Sequence, residues 1–178
     1  TDVGDVLKRE DIAVVDVALH PEQRVPVIEA ALRARKHVLS QKPFVLDLAV
    51  GDRLVALARE QGVQLAVNQN GRWAPHFSYL AAAVEAGIAG DVASVDFTLQ
   101  WDHTWTTGTP FEDVPHLVLF DFGIHWFDMA ARFMRGRPAE RVWASVRRAS
   151  YQAMRPPILA QVAIDYADAQ VRLNFNGH

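Results

Sequence analysis

Three short apolar runs separated by two helical stretches fill roughly the first 70 residues, and this alternation limits the possible folds more than any other feature of the chain. "IAVVDVALH" (12–20) is nearly continuous and β-branched, as expected of a strand covered on both faces. Pro21 opens "PEQRVPVIEAALRAR", where Val25, Ile28 and Leu32 recur at helical spacing and Pro26 falls early enough to be tolerated. "HVLSQKP" reads as a second strand. "LDLAVGDRLVALAREQG" (46–62) reads as a helix with Leu54, Leu57 and Ala58 on one face and Gly62 as its stop. "VQLAVNQN" (63–70) is a third strand. Strand, helix, strand, helix, strand with short links predicts parallel βαβ units with right-handed crossovers.

The pattern changes after about residue 72. "PHFSYLAAAVEAGIAG" (75–90) predicts an amphipathic helix stopped by glycine, and "DVASVDFTLQW" (91–101) an alternating strand. A loop rich in Thr, Trp and Pro leads to "LVLFDFGIHWFDMAARFMRG" (117–136), helical in its second half. "ERVWASVRRAS" and "ILAQVAIDYADAQVRLNFNG" add further alternating strands, the latter a hairpin turning at "DYADAQ". The expected architecture is α/β: an incomplete parallel βαβ domain over 1–72, then an α+β domain over 73–178 with an open, mostly antiparallel sheet.

Charge and cysteine content narrow the function. A net charge of −3 with no basic stripe argues against nucleic acid and anionic membrane as partners. Without cysteine there is no disulfide framework, zinc–thiolate site or thiol nucleophile. No apolar run approaches a membrane span and "TDVGDVLKRE" has no signal-peptide pattern, so a cytoplasmic protein is expected.

Two constellations carry chemistry. In "HVLSQKPF" the second strand ends on Lys42, which the following Pro43 holds extended; the plain alternative is a strand end reaching solvent. In "FDFGIHWFD", Asp121, His125 and Asp128 stand at i, i+4 and i+7, on one face if the segment is a regular helix. A carboxylate one turn from an imidazole fixes the ring and raises its basicity; the alternative is a core histidine satisfied locally. Ligands bind at the carboxyl ends of parallel strands, where Lys42 stands, so a lysine and a histidine meeting in a cleft would form an acid–base pair for a hydroxyl proton. A divalent ion held by His103, His116, Asp121 and His125 is a further reading, although the spacing matches no compact metal motif.

The chain also resembles a known family. "ALRARKHVLSQKP" is similar to the A-L-x-x-G-K-H-V-x-x-E-K-P signature of the glucose–fructose oxidoreductase/inositol dehydrogenase/MocA (Gfo/Idh/MocA) family, and "VNQNGRWAPHF" to its N-x-R-[FW]-x-P stretch. "EAGIAGDVASVDF" resembles its G-x-I-G-x-[VI] turn and "LFDFGIHWFD" its D-x-G-x-H-x-x-D helix, all in the family's order over about residues 12–135. The resemblance implies a Rossmann-type domain followed by an open-sheet domain that often mediates oligomers. It implies NAD- or NADP-dependent hydride transfer on a sugar, inositol or related polyol, by a homo-oligomer (dimer or tetramer). Carried over, Lys42 is the catalytic lysine, His125 the acid–base histidine and Asp121 the carboxylate that positions substrate or relays the proton. Gln41, Lys42, Asn70 and Arg72 line the cofactor. Substrate contacts are expected from Asp128 and from the loop "WDHTWTTGTPFEDVP", through Trp101, His103 and Trp105, because indole faces stack on sugar C–H groups. No metal is expected.

The departures from the family pattern matter as well. Gln41 replaces a glutamate, Leu19 and His20 stand where Thr-Pro is common, Arg24 where His is common, and Arg35 where glycine is common. No G-x-G-x-x-G occurs, so the 178 residues read as a partial protein that by itself binds dinucleotide poorly and turns over little. Two rivals follow: a non-catalytic sensor or partner subunit that kept the fold, favoured by Gln41 and the missing glycine turn, and a metal-dependent lyase or isomerase using His103, His116 and His125.

Overall fold

The structure, a computed structural model, describes residues 2–178. It divides into a first unit ending at Gln69 and a second running from Asn70 to His178.

The first unit runs α1 (Val3–Leu7), β1 (Val14–Val17), α2 (Pro21–Arg33), β2 (His37–Gln41), α3 (Leu48–Gln61) and β3 (Leu65–Asn68). The strands pair in the order β1-β2-β3, all parallel, with Val15 beside Val38 and Val38 beside Leu65. Helix ends follow local chemistry. The Asp47 carboxylate accepts from the Ala49 N–H at the start of α3, and Gly62 stops that helix at φ +68°, a conformation that favours glycine. Ile28 and Leu32 of α2 and Leu54 and Leu57 of α3 pack with Val17 and Val38 into one core.

The expectation that β1 is covered on both faces is corrected here. Both crossovers step the same way along the sheet, so right-handedness puts α2 and α3 on one side. The opposite face is exposed at Val14, Asp16 and Ala66.

The second unit opens with a 3-10 turn (Asn70–Trp73) and α4 (Pro75–Glu85), then β4 (Ser94–Gln100). After two short 3-10 turns and a π-helical turn (Val118–Phe122) come α5 (Ile124–Phe133), β5 (Arg141–Arg147), β6 (Leu159–Asp165) and β7 (Gln170–Asn176). The sheet order is β4-β7-β6-β5; β4–β7 is parallel and the other two pairings are antiparallel. The hairpin expected at "DYADAQ" joins β6 to β7. Val171, Leu173 and Phe175 of β7 and Val162 of β6 face inward onto Ala130 and Met134, whereas Asp96, Arg172 and Gln161 face out. This is the period-2 alternation of a sheet with one wet side.

Candidate functional site

Two groups of side chains carry the candidate chemistry, one in each unit.

In the first unit, Lys42 follows the last residue of β2, and its peptide bond to Pro43 is cis. Lys42 is half-buried. The main chain around it is gripped by Arg24, a first-turn residue of α2 that is only 2% exposed. One guanidinium nitrogen, Nη1, donates to the carbonyls of both Gln41 and Pro43. Nε donates to the Leu19 carbonyl at 3.1 Å, and Nη2 donates to the same oxygen. Sequence reading noted Arg24 only as a departure from a pattern. Arginine is rarely buried, so nothing in the chain's periodicity marks it as an interior residue.

In the second unit, the Asn70–Trp73 turn is fastened to α5. Arg72 donates from Nε and Nη2 to the two carboxylate oxygens of Asp128, at 2.7 and 2.6 Å, a bidentate pair. The Asp128 hydrogen bond holds Arg72 above the usual guanidinium pKa. Asp128, expected to touch substrate, therefore spends its carboxylate on Arg72. The turn is tied to α5, and the second unit begins at Asn70. Gly71 lies flat on His125: a Cβ there would come within 2.8 Å of the His125 Nδ1, so only glycine permits this approach. That imidazole nitrogen is buried.

Asp121 and His125 are not on one regular helix as the spacing predicted. Asp121 belongs to the π-helical turn, closed by a 2.7 Å hydrogen bond from the Gly123 N–H to the Val118 carbonyl, and α5 starts only at Ile124. The π-turn changes the angle between Asp121 and His125 from that of a regular α-helix, and π-turns of this kind recur at functional positions. Gly123 makes the turn possible, since a Cβ would meet the Leu119 carbonyl oxygen at 2.5 Å.

The aromatic loop is split between surface and interior. Trp101 and Trp105 are largely exposed, and Trp105 stands edge-on to Phe111 and Phe122. His103 is buried, its ring 4.0 Å from that of Phe122. Burial holds its pKa below the ordinary imidazole value, against weaker opposing pulls from the Trp101 backbone, Asp102 and Asp121. Neither ring nitrogen has a hydrogen bond of good geometry. His116 sits apart as an exposed residue at φ +50°. Among the described residues no three His, Asp or Glu side chains gather as a metal site. A concavity of ≈ 410 Å³ lies on the open face of the second sheet, lined by residues including Thr98, Gln100, Gln161 and Asn174; none of the expected site residues lines it.

Residues 1–69 match an oxidoreductase family with an NAD-binding Rossmann fold, and residues 77–177 match the Gfo/Idh/MocA C-terminal domain. The chain belongs to the Gfo/Idh/MocA oxidoreductase family. Among its relatives, dTDP-3,4-didehydro-2,6-dideoxy-alpha-D-glucose 3-reductase of Actinomadura kijaniata is 32% identical over 148 residues, covering 80% of this chain and 43% of the relative. D-apiose dehydrogenase of Paraburkholderia graminis is 31% identical over 143 residues, 76% of this chain and 36% of the relative. An oxidoreductase from Agrobacterium radiobacter, solved with NAD+, L-tartaric acid and magnesium, has the same fold, with a TM-score of 0.87 at 22% identity over 99% of this chain and 51% of that one. This Gfo/Idh/MocA chain spans less than half the length of the curated relatives it matches. No helix among its described residues is long and apolar enough to cross a membrane.

Proposed function

We propose that this Gfo/Idh/MocA chain carries the acid–base residues of an NAD(P)-dependent oxidoreductase acting on a CH–OH group of a sugar, inositol or related polyol. The observation that carries the reading is Lys42 at the carboxyl end of a parallel strand, with the carbonyls on either side of it fixed. The sugar-directed names of two relatives support the substrate class.

Gln41 and Lys42 stand at the strand end where a dinucleotide would bind in the full-length protein, and in the second unit Asn70 and Arg72 offer further polar groups. When bound, it supplies the hydride acceptor. Lys42 then takes the proton from the substrate hydroxyl as the carbonyl forms, or gives it back in reduction. In the second unit, His125 offers Nε2 for proton transfer, because Nδ1 is closed off against Gly71. Asp121 stabilises the charged imidazole. Trp101 and Trp105 offer exposed indole faces to the C–H side of a sugar ring. Arg72 and Asp128 hold the turn in place. On this reading the protein acts in the cytoplasm as a homo-oligomer, with the open polar sheet face as the contact surface.

The test is NAD+ and NADP+ reduction by the full-length protein across a panel of sugars and polyols. Lys42→Ala is expected to lower kcat by roughly 10²–10⁴-fold. Turnover by Lys42→Ala at the unsubstituted rate would sink the proposal.

A further inference from the structure

We infer that Arg24 is a positioning residue, whose buried guanidinium fixes the main chain on both sides of Lys42 and so determines where the lysine ammonium is presented. The inference rests on the proposed acid–base role of Lys42.

The geometry is specific. The two carbonyls held by Nη1 belong to Gln41 and Pro43, the immediate neighbours of Lys42. The third carbonyl, Leu19, lies just beyond the end of β1, the strand paired with β2. A guanidinium presents its donors in one rigid plane, so the ends of two adjacent strands must converge on that plane. The Gln41 carbonyl also accepts from the hydroxyl of Ser40, at 3.2 Å, and Ser40 is fully buried.

Docking α2 on the sheet does not require a cation. Ile28 and Leu32 of the same helix are both fully buried and already do it with apolar area. Burying a charge is costly unless its hydrogen bonds are made, and Arg24 makes them to strand-end carbonyls rather than to solvent. Those carbonyls are the ones whose position sets the Lys42 Cα. A misplacement of about 1 Å at a reacting group can cost on the order of 100-fold in rate, so this grip bears on the chemistry.

The chain has three lysines, Lys8, Lys36 and Lys42, so ¹³C-dimethylation gives three resolvable side-chain signals. In Arg24→Gln the Lys42 signal is expected to shift or broaden, while those of Lys8 and Lys36 and the amide spectrum of the second unit stay in place. Arg24→Lys, which keeps charge but loses the fork, is expected to fall between the two and carries the comparison where the glutamine variant does not fold. An unmoved Lys42 signal, three signals moving together, or failure of both variants to fold would each overturn the inference. In the NAD+ reduction assay, Arg24→Gln is expected to lower kcat by about 10–100-fold with KM for NAD+ nearly unchanged. Full activity in Lys42→Ala strikes the acid–base reading alone; a selective Lys42 response to Arg24→Gln would still establish the mechanical coupling.

Discussion

The two units hold their candidate groups in opposite ways. In the first, the main chain beside Lys42 is held by a buried arginine, and arginine stays protonated at any pH the fold survives. In the second, His125 is placed by a π-turn, a glycine contact and a half-exposed Arg72–Asp128 pair, with buried His103 nearby in sequence to the whole assembly. The first grip is indifferent to pH and depends on core packing. The second depends on local backbone shape and includes groups that titrate. Their sheets differ as well: β4 and β7 alternate between core and water, whereas the exposed side of β1 to β3 mixes Val14 and Ala66 with Asp16.

The comparison can be broken most forcefully at the first unit's core. Leu32→Ala, at a fully buried position, is expected to cost about 2–5 kcal/mol. All five tryptophans lie in the second unit, so the loss should appear in hydrogen exchange of β2 amides before it appears in tryptophan fluorescence. Simultaneous loss in both would merge what is separated above.

A smaller effect is expected from Gly123→Ala. The added methyl meets main-chain oxygen, which cannot step aside like a flexible side chain, so the π-turn must open at a cost of about 1–3 kcal/mol. The expected signature is displaced amide shifts from Val118 to His125 with β1–β3 shifts unchanged. Unperturbed shifts across 118–125 would mean that the turn tolerates a side chain.

The smallest effect sharpens the contrast in pH. Because burial depresses the His103 pKa, the unfolded chain takes up a proton near pH 6.5 that the folded chain resists. Stability from this residue is therefore full above about pH 6.5 and is lost as the pH falls toward the depressed folded value. The urea midpoint read by tryptophan fluorescence should drop between pH 7 and 5, and His103→Asn should flatten that slope. An equal slope in the variant would remove His103 as its source.

Much of the fold was legible because its signals are local. β-branched runs and the stop residue Gly62 mark strands and a helix end within a few residues of one another. The same logic explains the errors. Asp121, His125 and Asp128 have α-helical spacing, but periodicity assumes a constant number of residues per turn and cannot register one π-turn. Arg24 escaped because its grip on Leu19, Gln41 and Pro43 is to main-chain carbonyls, and side-chain patterns contain no trace of them. The Arg72–Asp128 pair spans 56 residues, a separation that side-chain patterns do not show.

The place of β7 between β4 and β6 has a consequence for how the second unit is made. On the ribosome β5 and β6 can zip together as soon as both have emerged, but β4 must wait about 70 residues for β7, the strand beside it among the described residues. Until then its inner row, Val95, Phe97 and Leu99, is an unclosed seam, and the late arrival of β7 welds the early and late parts of the nascent polypeptide in one event.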